Sequence, residues 1–232
     1  MTTGLHRLAP LPALLALVLM TGACGSPGPA APVERASQGP AGPAPTSQPP
    51  SPTHTSMGGP EVVGLAPEDL RDTDWADVPV PGAFCDVPGL VRLDAAGEAR
   101  ATSRAWGPVR IMRGRSVYYG DSDGDNRDEA AVHVGCDDGG LTQNDGIAVG
   151  YAVFGHSGKN LAVIGTITPQ QKPIGSSFDT ALVRAKFAPG RIIVQEKWYR
   201  AHDAHCCPSG DAVTVWTMEG GKLTPGDPRI TS

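Results

Sequence analysis

Three regimes of hydrophobic patterning succeed one another along the chain. From Leu8 to Met20 nearly every position is apolar, broken by Pro10 and Pro12. From Gly25 to about Pro60 the chain is Ser, Pro, Gly, Ala and Thr with almost no large apolar residue. From residue 61 onward apolar residues return in short runs, mostly at every second position. Only this third regime, about 170 residues long, has the pattern and length for a domain with a core of its own.

Within it, Ala66-Pro67-Glu68-Asp69-Leu70 reads as the start of one short helix running towards Trp75. Proline suits the first helical position and acids in the first turn favour the helix dipole. Pro79-Val80-Pro81-Gly82 stops it, and the period then changes to two. Leu90–Leu93 and Glu98–Ser103 flank an Ala-Ala-Gly turn and predict a hairpin. Ser116–Tyr119 and Ala130–Val134 flank an acidic loop. Ile147, Val149, Tyr151 and Val153 alternate onto one face, as do Leu161, Val163 and Ile167 after a Gly155-His156-Ser157-Gly158 turn. Ala181–Phe187 and Ile192–Tyr199 flank Pro189-Gly190, and Val213, Val215 and Thr217 alternate before Glu219-Gly220-Gly221. His133 falls between Val132 and Val134, which predicts an outward-facing strand residue. Short strands with turn signals between them and a single helix predict a mainly β fold, an antiparallel sheet or sandwich. No long repeat supports a propeller.

The first two regimes read as an export signal and a tether. The Leu8–Met20 run fits the roughly 7–15 residue apolar core of a signal peptide and falls short of the ~20 residues that span a bilayer. Thr21-Gly22-Ala23 followed by Cys24 resembles a bacterial lipobox, departing from it at Thr21, where leucine is usual. That resemblance implies lipidation of Cys24, cleavage after Ala23, and residence on the extracytoplasmic face of the cell membrane. Two or three acyl chains anchor stably where one is marginal. The Pro- and Gly-rich stretch cannot bury enough surface to offset its ordering entropy, and such tracts act as extended spacers. The expected organisation is therefore signal peptide 1–23, lipidated Cys24 and linker 24–60, and a single β-rich domain 61–232.

The chain carries 19 Lys and Arg against 24 Asp and Glu, and cleavage would remove only Arg7 from either set. This mildly acidic balance, without a basic patch interleaved with aromatics, argues against a nucleic-acid partner. The sequence has no HExxH, no phosphate-cradling glycine loop and no Cys-His pair of credible separation. Few aromatics are present to act as sugar platforms for a paired-carboxylate hydrolase. No catalytic residue is assigned, and the expectation is a non-enzyme.

The sharpest motif is Asp121-Ser122-Asp123-Gly124-Asp125-Asn126-Arg127-Asp128-Glu129. Carboxylates at its positions 1, 3, 5 and 9 can converge on a hard cation, and Ca2+ takes 6–8 oxygen ligands. The expected set is Asp121, Asp123, Asp125, the backbone carbonyl of Arg127, and Glu129. Asn126 sits where glycine is usual and tolerates the left-handed conformation. The terminal glutamate of an EF-hand would fall at Val132, so the loop is not one. It resembles the DxDGDxxxE loops between strands of calcium-binding β-repeat proteins, including integrin-type repeats, which implies a structural ion. The alternative is a solvated acidic hairpin held by Asx turns.

With Cys24 lipidated, Cys85, Cys136, Cys206 and Cys207 form an even set, which in an exported domain reads as two disulfides with three possible connectivities. Strain in a vicinal bond favours the crossed pairings. The self-contained hairpin region between Cys85 and Cys136 favours those two closing on each other, and that pairing is the expectation. The run His202-Asp203-Ala204-His205-Cys206-Cys207 has ligand types for zinc or copper and defines an alternative role in metal handling. Export would oxidise its thiols.

Trp198-Tyr199, His205-Cys206-Cys207-Pro208-Ser209-Gly210, Val215-Trp216 and Gly221-Lys222-Leu223 together resemble the C-terminal part of actinobacterial LppP/LprE-type lipoproteins. The resemblance covers about half of the folded region and leaves residues 61–115 unaccounted for. It implies a cell-envelope lipoprotein and transfers no catalytic residues. Its partners would be the membrane, through the anchor, and a protein or cell-wall ligand.

Overall fold

The period-two segments form thirteen strands among the described residues: β1 (Glu61–Leu65), β2 (Val80–Pro81), β3 (Leu90–Val91), β4 (Glu98–Ser103), β5 (Gly107–Gly120), β6 (Glu129–Asp137), β7 (Gly146–Ser157), β8 (Asn160–Ile167), β9 (Ala181–Ala188), β10 (Arg191–Trp198), β11 (Gly210–Glu219), β12 (Lys222–Pro225) and β13 (Arg229–Ile230). The computed structural model describes residues 60–139, 146–175, 178–204, 206–219 and 222–232. The expected signal segment, Cys24 and the linker lie outside the described residues, as does His205.

Six strands form one sheet in the order β1-β8-β7-β6-β5-β4, and five form a second, β12-β11-β10-β9 with β13 also on β11. All strand pairs are antiparallel. The first sheet is covered on both faces. On one, Ile111, Val132, Val134 and Phe154 meet Leu70, Trp75, Val80 and Phe84 of the N-terminal segment. On the other, Tyr151, Val153 and Ile167 meet Leu182, Ile192, Val194 and Trp216 of the second sheet. Both cores lie within Pro49–Ser232, which forms one compact unit.

This layering explains why β6 and β7 lose the expected alternation: Ala130, Ala131, Val132 and Val134 are all buried, as are Tyr151, Ala152, Val153 and Phe154. A strand covered on both faces reads as a continuous apolar run. His133, expected to face outward, is instead half-buried, its ring 5.5 Å from that of Tyr151. It occupies the space over Gly114, where a Cβ would meet the imidazole. Burial lowers the His133 pKa.

The N-terminal helix does not form. A three-residue 3-10 turn, Leu70–Asp72, replaces it. Asp69 accepts a hydrogen bond from the Arg71 amide and Asp74 one from the Ala76 amide. Such local bonds compete with helix propagation. Leu70 and Trp75 still reach the core, and the Trp75 indole donates to the Tyr119 hydroxyl at 2.9 Å. The expected hairpin of Leu90–Leu93 with Glu98–Ser103 is also absent. β3 pairs with β2, and β4 pairs with β5. The Asp94 carboxylate accepts from the Ala96 and Glu98 amides, closing a tight turn that redirects the chain. The hairpins β5–β6 and β9–β10 form as expected.

Candidate metal centre

The acidic loop starts and ends on a register pair, Gly120 opposite Glu129. Gly120 lies against Phe187 of the second sheet, where a Cβ would collide with that side chain. The loop folds on its own carboxylates. Asp121 accepts from the Gly124 amide at 2.6 Å through Oδ1 and from the Asn126 amide at 3.0 Å through Oδ2. Asp123 accepts from the Asp125 amide, and Asp125 from the Arg127 amide at 2.8 Å. Gly124 and Asn126 are left-handed, with φ of 84° and 64°. The tolerance expected of Asn126 is thus put to use.

Glu129 closes the arrangement from below. It is 4 % exposed, and its Oε2 accepts from the Ser122 amide at 2.7 Å and hydroxyl at 2.5 Å. The Ser122 carbonyl in turn accepts from the Gly190 amide at 2.7 Å, in the β9–β10 turn. The loop therefore ties the end of the first sheet to the second. Asp121, Asp123, Asp125 and Glu129 each offer an oxygen within 4.8 Å of the others, a group fit to hold a metal ion.

Its electrostatics are uneven. Burial pushes the Glu129 carboxyl up to about 7, with Ser122 opposing and Asp123 and Asp121 adding to the rise. The Arg127 guanidinium, bonded to Asp125 Oδ2 through Nε at 3.0 Å and Nη2 at 2.8 Å, holds the Asp125 carboxyl below its usual range. Arg127, expected to offer its backbone carbonyl, clasps Asp125 through its side chain. Asp128 points away from the group and pairs with Arg71, whose guanidinium also lies 4.9 Å over the Tyr119 ring. Crowded carboxylates with this little counter-charge repel one another, and a divalent cation relieves that repulsion.

The cysteines fall into two pairs. Cys85, on a 3-10 turn at Ala83–Cys85, bonds to Cys136 on β6 with the Cα atoms 5.9 Å apart, and both are buried. The bond pins the N-terminal layer to the middle of the first sheet. Cys206 and Cys207 bond to each other in the exposed β10–β11 connection. There the Asp203 carboxylate accepts from the Arg200 amide at 2.7 Å and the Ser209 amide at 2.9 Å, closing the loop. So bonded, the two cysteines offer no thiolate to a soft metal, and His202 is exposed beside them.

Glu196 is a buried polar residue that the sequence reading passed over. It is 1 % exposed, accepts from the Gln170 and Gln171 amides at 3.0 and 2.8 Å, and accepts from the Thr214 hydroxyl at 2.6 Å. A carboxylate at an inward position of an alternating strand was the available signal. Comparison with protein-family models, curated proteins and solved structures finds no match.

Proposed function

We propose that this chain is a non-catalytic cell-envelope lipoprotein, anchored through Cys24, whose β domain is displayed outside the membrane to bind a protein or cell-wall ligand. The observation that carries the domain's part of this reading is the acidic loop. Its carboxylates are engaged by the loop's own amides and it bridges two sheets, which suits them to holding shape rather than to turnover. The ion we assign to it is Ca2+, because the donors are hard oxygens drawn from alternate loop positions. Calcium and the Cys85–Cys136 bond would together stiffen a domain that works outside the cell, where disulfides persist.

The anchor has its own test. Intact mass of the protein recovered from membranes is expected to show residues 1–23 removed and acyl mass on the Cys24 peptide, and Cys24→Ser to make the protein extractable from the membrane by high salt. An unmodified Cys24 peptide in membrane-recovered protein would overturn the anchored reading.

A further inference from the structure

The outward face of the second sheet carries a charge opposite to that of the chain. Ile192, Val194, Ala212, Thr214 and Trp216 point inward and are buried, so the residues between them on β10 and β11 face out. Cross-strand register extends that face. Arg184 lies opposite Gln195, Lys186 opposite Ile193, Arg229 opposite Val213 and Lys222 opposite Glu219. Arg184, Lys186, Arg191, Lys197, Lys222 and Arg229 therefore share one surface with two carboxylates, Asp211 and Glu219. Lys197 pairs with Asp211 at 2.7 Å, and the other five cations make no ion pair among the described residues. Yet the whole chain has a net charge of −5.

Between these cations lie Ile193, Val213 and Val215, the last 38 % exposed. No aromatic stands among the outward residues of β10 and β11 to stack on a base. A broad sheet face with an aliphatic middle and a cationic surround matches a surface that offers anionic headgroups above an apolar boundary. The first sheet lies on the other side: Gly165 of β8 packs on the inward side chain of Leu223 on β12, the strand that carries the outward Lys222.

We propose that this face rests on an anionic phospholipid bilayer, the membrane that holds the Cys24 anchor; in that respect the inference rests on the anchored reading above. Adsorption would orient the domain with the acidic loop and the N-terminal layer turned away from, or to the side of, the lipid.

The test uses the Pro49–Ser232 unit, which contains both cores and lacks Cys24, in flotation with vesicles of phosphatidylcholine alone or mixed with phosphatidylglycerol. Binding to the mixed vesicles only, weakening with salt, is expected. Each cation near such a surface contributes roughly fivefold, so R184Q/K186Q/R191Q is expected to lower partition roughly a hundredfold. R92Q/R100Q, which alters cations of the first sheet and its covering layer, is expected to leave it unchanged. Near-ultraviolet circular dichroism checks that each variant is folded, and the salt dependence of the unsubstituted unit reads the same interaction without substitution. Absence of binding to anionic vesicles, equal binding to neutral ones, or retention on soluble polyphosphate without vesicle binding would each overturn the proposal. Loss of the anchor reading alone would appear only in the mass of the Cys24 peptide.

Discussion

Asp121 engages the backbone of its own loop through both carboxylate oxygens, so it both shapes the turn and presents charge to a cation. Replacing it with alanine leaves the Gly124 and Asn126 amides to solvent. We expect D121A to cost about 1–2 kcal/mol of stability in calcium-free buffer, measured by urea unfolding, and to weaken calcium binding at least tenfold by calorimetry. Asp137 gives a pH signature of a different kind. Burial works to raise its pKa, but the Arg110 guanidinium, at 2.7 Å, and the Gly139 amide prevail and lower it. A depressed folded pKa means that this stabilisation is fully present above the unfolded value, near about 3.9, and is lost as pH falls through the folded value. R110A should therefore flatten the acid limb of stability below about pH 4 and cost about 1 kcal/mol near neutrality. Glu196 is a buried carboxylate whose one sequence signal is its place in the alternation. It occupies an inward slot in the run Ile192, Val194, Glu196, Trp198, where alternation demands an apolar side chain. Its partners Gln170, Gln171 and Thr214 come from other elements, and no local pattern names them. E196A leaves the buried Thr214 hydroxyl and the part-buried Gln170 and Gln171 amides without their acceptor, and is expected to cost about 2–3 kcal/mol by the same unfolding assay.

At the scale of elements, turn chemistry was legible and partner choice was not. Pro189-Gly190 between two alternating runs specified the β9–β10 hairpin, with Gly190 at φ 74° as such a turn requires. The acidic loop likewise specified β5–β6. Leu90–Leu93 and Glu98–Ser103 carried the same kind of signal, yet they separate into different sheets, because pairing is decided by what each strand can cover. The N-terminal helix failed for a related reason: Leu70 and Trp75 reach the core without a helical stripe, and aspartate side chains close the local turns. The covalent link between these layers is Cys85–Cys136, across a sequence separation of 51. Removing it as C85A/C136A is expected to cost about 2–4 kcal/mol, read as a lower denaturation midpoint. In contrast, the Cys206–Cys207 loop is already closed by Asp203, so C206A/C207A is expected to change stability by less than about 1 kcal/mol.

For the whole molecule, the middle sheet is sealed on one side by an irregular N-terminal layer and on the other by the second sheet. The mainly β, antiparallel class was readable from period and turns. The layering was not, since β6 and β7 show the near-continuous apolar runs of strands buried on both faces. The acidic loop sits where the two sheets are tied, through Ser122 and Gly190, so its occupancy is coupled to the stability of the unit rather than to one turn. An ion that binds the folded state alone stabilises it by about 2.7 kcal/mol at a hundredfold excess over Kd, or about 5–10 °C in a domain of this size. The most direct measurement is thermal unfolding of the Pro49–Ser232 unit in chelator and across a calcium titration, with D121A/D123A beside it. The account predicts a rise of that order, saturable, reversed by chelator and missing from the variant. A midpoint indifferent to calcium in the unsubstituted protein would contradict the claim that the acidic loop is a calcium clamp between the sheets.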